Sequence, residues 1–290
     1  MSKAKAKAPT APKYEQRLTL FIDFLGFKEH VARTEEDPTY LSRVICAMDR
    51  IAAIGRDDKA FHKSQVVTQF SDCVVVSYGV DEESGVFWLL NEIAFCVVDL
   101  VEEGFLVRGA VTVGDLFHTK SHVVGPAMIE AYLLESKVAK FPRVLIEEKV
   151  LEVAKAARRD GHSVDEELDY VRSYMTTDDD GRDYLNYVSW NSVVAVTGGD
   201  NDLYPAYLEK ISELVEAGLN HQSVRVLPCY LWLHTQYLEA RDGIANLPKD
   251  HPYRLQDPEI CDNVASLPRL DALAAQAKTR VDAGSQPSVA

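Results

Sequence analysis

Between residues 17 and 124 the chain alternates between two hydrophobic periods, and the order of that alternation restricts the fold more than any single motif. Arg17 to Phe24 (RLTLFIDF) is an apolar, β-prone run with one acid near its end. From Glu29 to Gly55 apolar residues recur at helical spacing, and Val31, Leu41, Val44, Ile45, Met48, Ile51 and Ile54 predict one stripe. Gln65 to Phe70 and Cys73 to Tyr78 are short β-rich runs, and Ser71-Asp72 between them predicts a tight hairpin. Ser84 to Glu102 predicts a second helix capped by Gly104, followed by a strand over Phe105 to Thr112 and a fifth over Leu116 to Val124. Strand, helix, strand, strand, helix, strand is the split βαβ order. It predicts an α+β, ferredoxin-like (βαββαβ) core, an antiparallel sheet with two helices on one face.

Downstream, the pattern predicts a helix from Pro126 to about Ala139, a short strand at Arg143 to Ile146 and a helix from Glu147 to Arg159. Tyr184 to Trp190 (YLNYVSW) reads as a strand after the turn at DDDGRD. Two longer helices, about Pro205 to Ala217 and Gln222 to Ala240, predict an antiparallel hairpin that extends the core or forms a dimer face. The expected organisation is a disordered tail over 1–15, one domain over 16–200, a helical hairpin extension over 201–262 and a flexible tail over 263–290. The Gly198 to Asp200 triplet, GGD, reads as a turn.

Charge and composition remove several function classes. The net charge is −14, so a surface that grips nucleic acid or anionic lipid through bulk charge is not expected. No run reaches the roughly 18 apolar residues of a membrane span, and MSKAKAKAPTAPK lacks the apolar core of a secretory signal. The five cysteines are scattered without a CxxC pair, which predicts reduced thiols in a cytoplasmic protein.

Two acids interrupt the β-runs: Asp23 in FIDF, and Asp72 between two apolar runs in FSDC. Burying a lone carboxylate there costs several kcal/mol unless something pairs with it. In the split βαβ order, strand 1 lies beside strand 3, so the end of strand 1 meets the turn joining strands 2 and 3. Two carboxylates converging at one sheet edge, beside a loop that offers backbone carbonyls, suit a pair of oxygen-loving divalent cations. The same residues also read as ordinary helix-capping and turn acids.

FIDFLGF, QFSDCVVVS, and VRGAVTVGDLF followed by VVGPAMIEAYLLES resemble the class III nucleotide cyclases over residues 17–190. The resemblance implies a cyclase catalytic domain over 16–200. It places Asp23 and Asp72 on the family's two metal aspartates, the Phe24 backbone carbonyl on a further metal contact and Arg143 on a phosphate-binding arginine. It also implies two Mg²⁺ or Mn²⁺ per site, a nucleoside triphosphate substrate and a homodimer with its sites at the subunit interface. The purine-selecting pair falls on Thr68 and near His122, which match neither adenine nor guanine recognition. The transition-state Asn and Arg fall on Ile129 and Leu133, which donate no hydrogen bond. Metal aspartates without a purine pair, with a helical extension, resemble the pyrimidine cyclases of bacterial anti-phage defence (the Pycsar systems). That implies conversion of UTP, before CTP, to the 3′,5′-cyclic monophosphate and pyrophosphate, with the product sensed by a separate effector protein. Thr68, His122 and Tyr40 are the candidates for base contact and Arg108 for the triphosphate. The alternative is a non-catalytic cyclase-like module that binds a nucleotide or only dimerises.

Overall fold

The computed structural model describes residues 11–54, 63–196, 198 and 201–284. Strand β1 (Glu15–Phe24) is followed by helices α1 (Phe27–Glu36) and α2 (Pro38–Ala53), strands β2 (Val66–Phe70) and β3 (Cys73–Gly79), helix α3 (Gly85–Glu102) and strand β4 (Val107–Thr119). The sheet runs β2-β3-β1-β4, antiparallel throughout this part. The ferredoxin-like βαββαβ core expected from the sequence is therefore present, with β1 central.

Strand β4 is longer than its apolar run. It turns back at Lys120-Ser121 into β5 (His122–Val124), so the expected fifth strand is the tip of a hairpin. Helix α4 (Pro126–Leu133) then continues into a π-helical turn, Leu134–Ala139. Strand β6 (Val144–Ile146) extends the sheet in parallel with β4. After helices α5 (Glu148–Ala156) and α6 (Val164–Arg172), strands β7 (Met175–Thr177) and β8 (Asp183–Leu185) complete that edge in the order β6-β8-β7. Of the expected strand YLNYVSW only Tyr184 and Leu185 are strand, at the end of β8. Its end turns into α7 (Trp190–Val196), where the Asn186 side chain accepts from the Val188 and Ser189 amides.

The first expected helix is broken. Pro38 cannot donate to an incoming helix, and Asp37 caps the new one by accepting from the Thr39 amide. The break resets the helical phase. Val31, Leu41 and Ile45 of the expected stripe are exposed, whereas Val44, Ile51 and Ile54 are buried as expected, joined by Tyr40 and Ala47. Helix α3 is apolar on nearly all sides because α2, α5, α6, α7 and α8 pack against it and its residues share the core of the sheet.

The C-terminal region is docked. Helices α8 (Tyr204–Leu219) and α9 (Leu227–Ala245) form the expected hairpin. They cross closely at Gly218, where any β-carbon would collide with the Tyr230 ring. Tyr204, Tyr207, Leu208 and Ile211 join the same core as the sheet. Helices α10 (Pro252–Gln256), α11 (Pro258–Ser266) and α12 (Asp271–Gly284) follow. The expected flexible tail is thus corrected: α12 packs on α8 and α9 through buried Ala274 and Ala277. Residues 1–10 of the expected N-terminal tail, 285–290, and Gly199 and Asp200 of the GGD triplet lie outside the described residues. Among the described residues no helix is long and apolar enough to cross a membrane, and all five cysteines are unpaired.

Candidate active site

Alternation in β1 separates two faces. Leu18, Leu20, Ile22 and Phe24 enter the main core under α2 and α3. Phe21 and Asp23 face the other way, where Phe21, Val75 and Ala131 form a small second cluster beneath α4. Asp23 is the last residue of β1 on that face. Its cross-strand neighbours are Cys73 of β3 and Arg108 of β4. The two-residue hairpin loop places Asp72 immediately before Cys73, with Ser71 in the left-handed region at φ 54. Asp23 and Asp72, 49 positions apart, are thereby brought together by strand register.

The electrostatics follow from this placement. The carboxyl of Asp23 is pushed up to about 7, by burial first, then by the neighbouring Asp72 carboxylate and by Glu135. Cys73, between the two acids, is pushed up to about 11 by burial and by the same carboxylates. Asp23 Oδ1 is buried and has no hydrogen-bond donor. A buried carboxylate oxygen left without a donor beside a second carboxylate is a poor arrangement for a resting protein and a good one for a cation. The residues therefore fit a divalent metal in charge and donor type. Among the described residues no cluster of three or more acid, His or Cys side chains stands ready to hold one. Further ligands would have to come from backbone, water or substrate.

Arg108 lies across from Asp23, yet its guanidinium is paired with Glu135. Its Nε and Nη2 both reach Oε1 of Glu135, at 2.6 and 2.5 Å. Glu135 sits in the π-helical turn after α4 and is 2% exposed. The sequence reading missed it. The signal was present in the four-residue stripe Ala127, Ala131, Glu135, Ala139, all buried, where one glutamate occupies a core position.

Arg143 does not sit as expected. It is completely buried, with Nε donating to the Ala139 carbonyl at 3.0 Å, Nη1 to Asp178 and Nη2 to Asp180 at 2.6 Å. Trp232 Nε1 holds Asp178 from the C-terminal side. This bidentate cluster ties the β7–β8 loop to the end of the π-helical turn and leaves no arginine face for a phosphate. Tyr40 is also elsewhere. It lies 4% exposed in the opposite core, its hydroxyl 2.8 Å from His30 Nδ1 and its ring between Arg33 and Phe105.

Thr68 is on the site's face of the sheet but engaged. Its hydroxyl bonds His118 Nε2 at 2.9 Å and donates to the Thr119 carbonyl at 3.2 Å. His118 Nδ1 meets Ser77 Oγ at 2.7 Å, and Ser77 Oγ accepts from Arg17 Nε at 2.8 Å. Burial and the Arg17 charge hold His118 down at about 4, so the ring is neutral. The chain of donors then fixes its tautomer: Ser77 donates to Nδ1, and Nε2–H donates to Thr68. His122 is exposed at the β4–β5 tip. The Phe24 side chain packs against Phe105 in the core, so only its backbone is available to the site.

A second feature flanks the carboxylates. Val124, Ile129, Tyr132 and Leu133, on β5 and α4, are 53, 63, 49 and 45% exposed. They form an apolar face on the side of the sheet that carries Asp23.

No protein-family model matches the sequence, and no curated protein is similar to it. Among solved structures, the chain is similar to two of a bacterial light-regulated adenylyl cyclase, at 13% and 16% identity with TM-scores of 0.38 and 0.37, each covering 50% of this chain and 46% of that one. It is also similar to the adenylyl cyclase CyaB from P. aeruginosa, at 14% identity and a TM-score of 0.36, over 51% of this chain and 84% of that one. The chain thus spans less than half the length of the light-regulated enzymes.

Proposed function

We propose that this chain is a nucleotide cyclase of class III type. In this reading it converts a pyrimidine nucleoside triphosphate, UTP before CTP, to the 3′,5′-cyclic monophosphate and pyrophosphate. The observation that carries the reading is the convergence of Asp23 and Asp72 at one sheet edge with a buried carboxylate oxygen lacking any donor. Asp23, Asp72 and the Phe24 carbonyl would hold two Mg²⁺ or Mn²⁺ ions. Such ions lower the pKa of a ribose 3′-hydroxyl and neutralise the triphosphate. The chain's own contribution is placement. Asp23 is fixed by strand register and Asp72 by a two-residue turn. Helix α1 begins four residues beyond Asp23, where the free amides at its amino end suit phosphate oxygens.

Thr68 and His122 support a pyrimidine over a purine only by what they replace, since neither supplies the polar pair with which purine cyclases choose a base. Because the Thr68 hydroxyl is already bonded on both sides, base contacts in this reading come from backbone at the β2 and β4–β5 tips. The exposed face of Val124, Ile129, Tyr132 and Leu133 lies next to the carboxylates and would be covered by a second copy, giving a homodimer with sites at the interface. The product would act on a separate effector in anti-phage defence. Ile129 and Leu133 favour a second reading, a cyclase-like module that dimerises without catalysis, because neither can donate to a transition state.

Incubation with each of the four triphosphates and Mn²⁺, with products resolved by chromatography, tests the proposal. Cyclic UMP or cyclic CMP from wild type and none from Asp72→Asn supports it. Cyclic AMP or GMP as the main product overturns the base assignment, and no cyclic product at all favours the module.

A further inference from the structure

Asp23 and Arg108 are directly opposed on adjacent antiparallel strands. Opposed residues on one face have β-carbons about 5 Å apart, close enough for a carboxylate and a guanidinium to pair. In this protein they do not pair. Both bonding nitrogens of Arg108 go to Glu135 Oε1, and Asp23 Oδ1 is left buried without a donor. Glu135 is carried to that point by the π-helical turn, a local widening of the helix that packs against β4. Glu135 is itself buried, and Ala131 and Ala139, four residues to either side, are buried with it.

The geometry points to Glu135 as a positioning residue that withholds Arg108 from Asp23 and so keeps the carboxylate pair open for divalent cations. This rests on the metal reading of Asp23 and Asp72 and adds to it a reason for the buried Arg–Glu pair. Without Glu135, the guanidinium across the strand is free to turn to the orphaned Asp23 oxygen. An intramolecular cation would then compete with the metal at every encounter.

The test is Mn²⁺ binding, measured directly by calorimetry or by the electron-spin signal of free Mn²⁺, together with crystal structures of the variants. Glu135→Gln is isosteric and should weaken Mn²⁺ binding by about tenfold, the size of one charge-assisted hydrogen bond. Its structure should show the Arg108 guanidinium on Asp23. The double variant Arg108→Met with Glu135→Gln leaves no charge unpaired and should bind Mn²⁺ like wild type. It also decides the matter if the single variant does not fold. Unchanged or tighter binding in Glu135→Gln, an Arg108 that does not pair with Asp23, or a double variant as weak as the single one overturns the inference while leaving the metal reading intact. Wild type that binds no Mn²⁺ overturns the metal reading and this inference together.

Discussion

Replacing Asp72 with Asn should stabilise the metal-free protein while abolishing its response to metal. In the folded chain the Asp23 carboxyl is pushed up to about 7, by burial and then by Asp72. A carboxyl raised on folding binds its proton more tightly in the native state. The native state is therefore favoured most below the ordinary carboxylate range, and that advantage is lost as pH rises through about 7. Three pH units correspond to about 4 kcal/mol. Solvent screening at this half-buried position reduces the figure to about 2 kcal/mol. Asp72 is the second of the causes, so its neutralisation should return about 1 kcal/mol at pH 8. That raises the melting temperature of the metal-free protein by about 2–4 °C. Wild type with Mn²⁺ at 100 times its dissociation constant should gain about 2.7 kcal/mol, and the variant almost none. The assay is thermal unfolding at pH 8 with and without Mn²⁺. An Asp72→Asn protein that melts lower than wild type without metal, or one that keeps the Mn²⁺ response, refutes the reasoning.

The buried Arg143 cluster should prove structural. Asp178→Asn leaves a buried guanidinium short of a partner and should cost about 3 kcal/mol in chemical denaturation without changing Mn²⁺ affinity; weaker metal binding with intact stability would return Arg143 to the phosphate. His118, held down at about 4, lends stability that is complete above about pH 6.5 and is lost as pH falls through 4. Relative to His118→Gln, wild type should therefore lose about 2 kcal/mol over that interval, and parallel stability curves would contradict the neutral assignment. Ile129→Asp places a charge in the exposed apolar face and should give a monomer by light scattering with an unchanged melting temperature, whereas a persistent dimer would move the interface elsewhere.

The core was legible because its signals are local. Period-2 runs, Gly104 and the Ser71-Asp72 turn each report on a few residues, and the split βαβ order then sets the strand neighbours. The meeting of Asp23 and Asp72 followed from that order alone. What escaped depended on phase or on distant partners. The expected stripe was too broad: Val44, Ile51 and Ile54 are buried, but Val31, before the break at Pro38, and Leu41 and Ile45, a step off the buried face of α2, are exposed. Arg143 was placed at a phosphate by the resemblance alone, but its contacts are with Asp178 and Asp180, more than thirty residues on, in a loop whose docking no local pattern reports. Tyr40 was read as a base contact because its ring chemistry suits stacking, and only the helix phase shows that it enters the opposite core. Glu135 required noticing one acid in an alanine stripe. The docked α12 was read as part of a flexible tail because an Ala-rich, polar stretch shows no apolar stripe of its own, and α8 and α9 supply the surface that buries Ala274 and Ala277.

The most direct test of the central claim is anomalous diffraction from crystals grown with Mn²⁺ and a non-hydrolysable UTP analogue. The account predicts manganese peaks between the carboxylates of Asp23 and Asp72, with the triphosphate running toward the amino end of α1. Manganese or nucleotide bound elsewhere, with Asp23 and Asp72 holding neither, would contradict it.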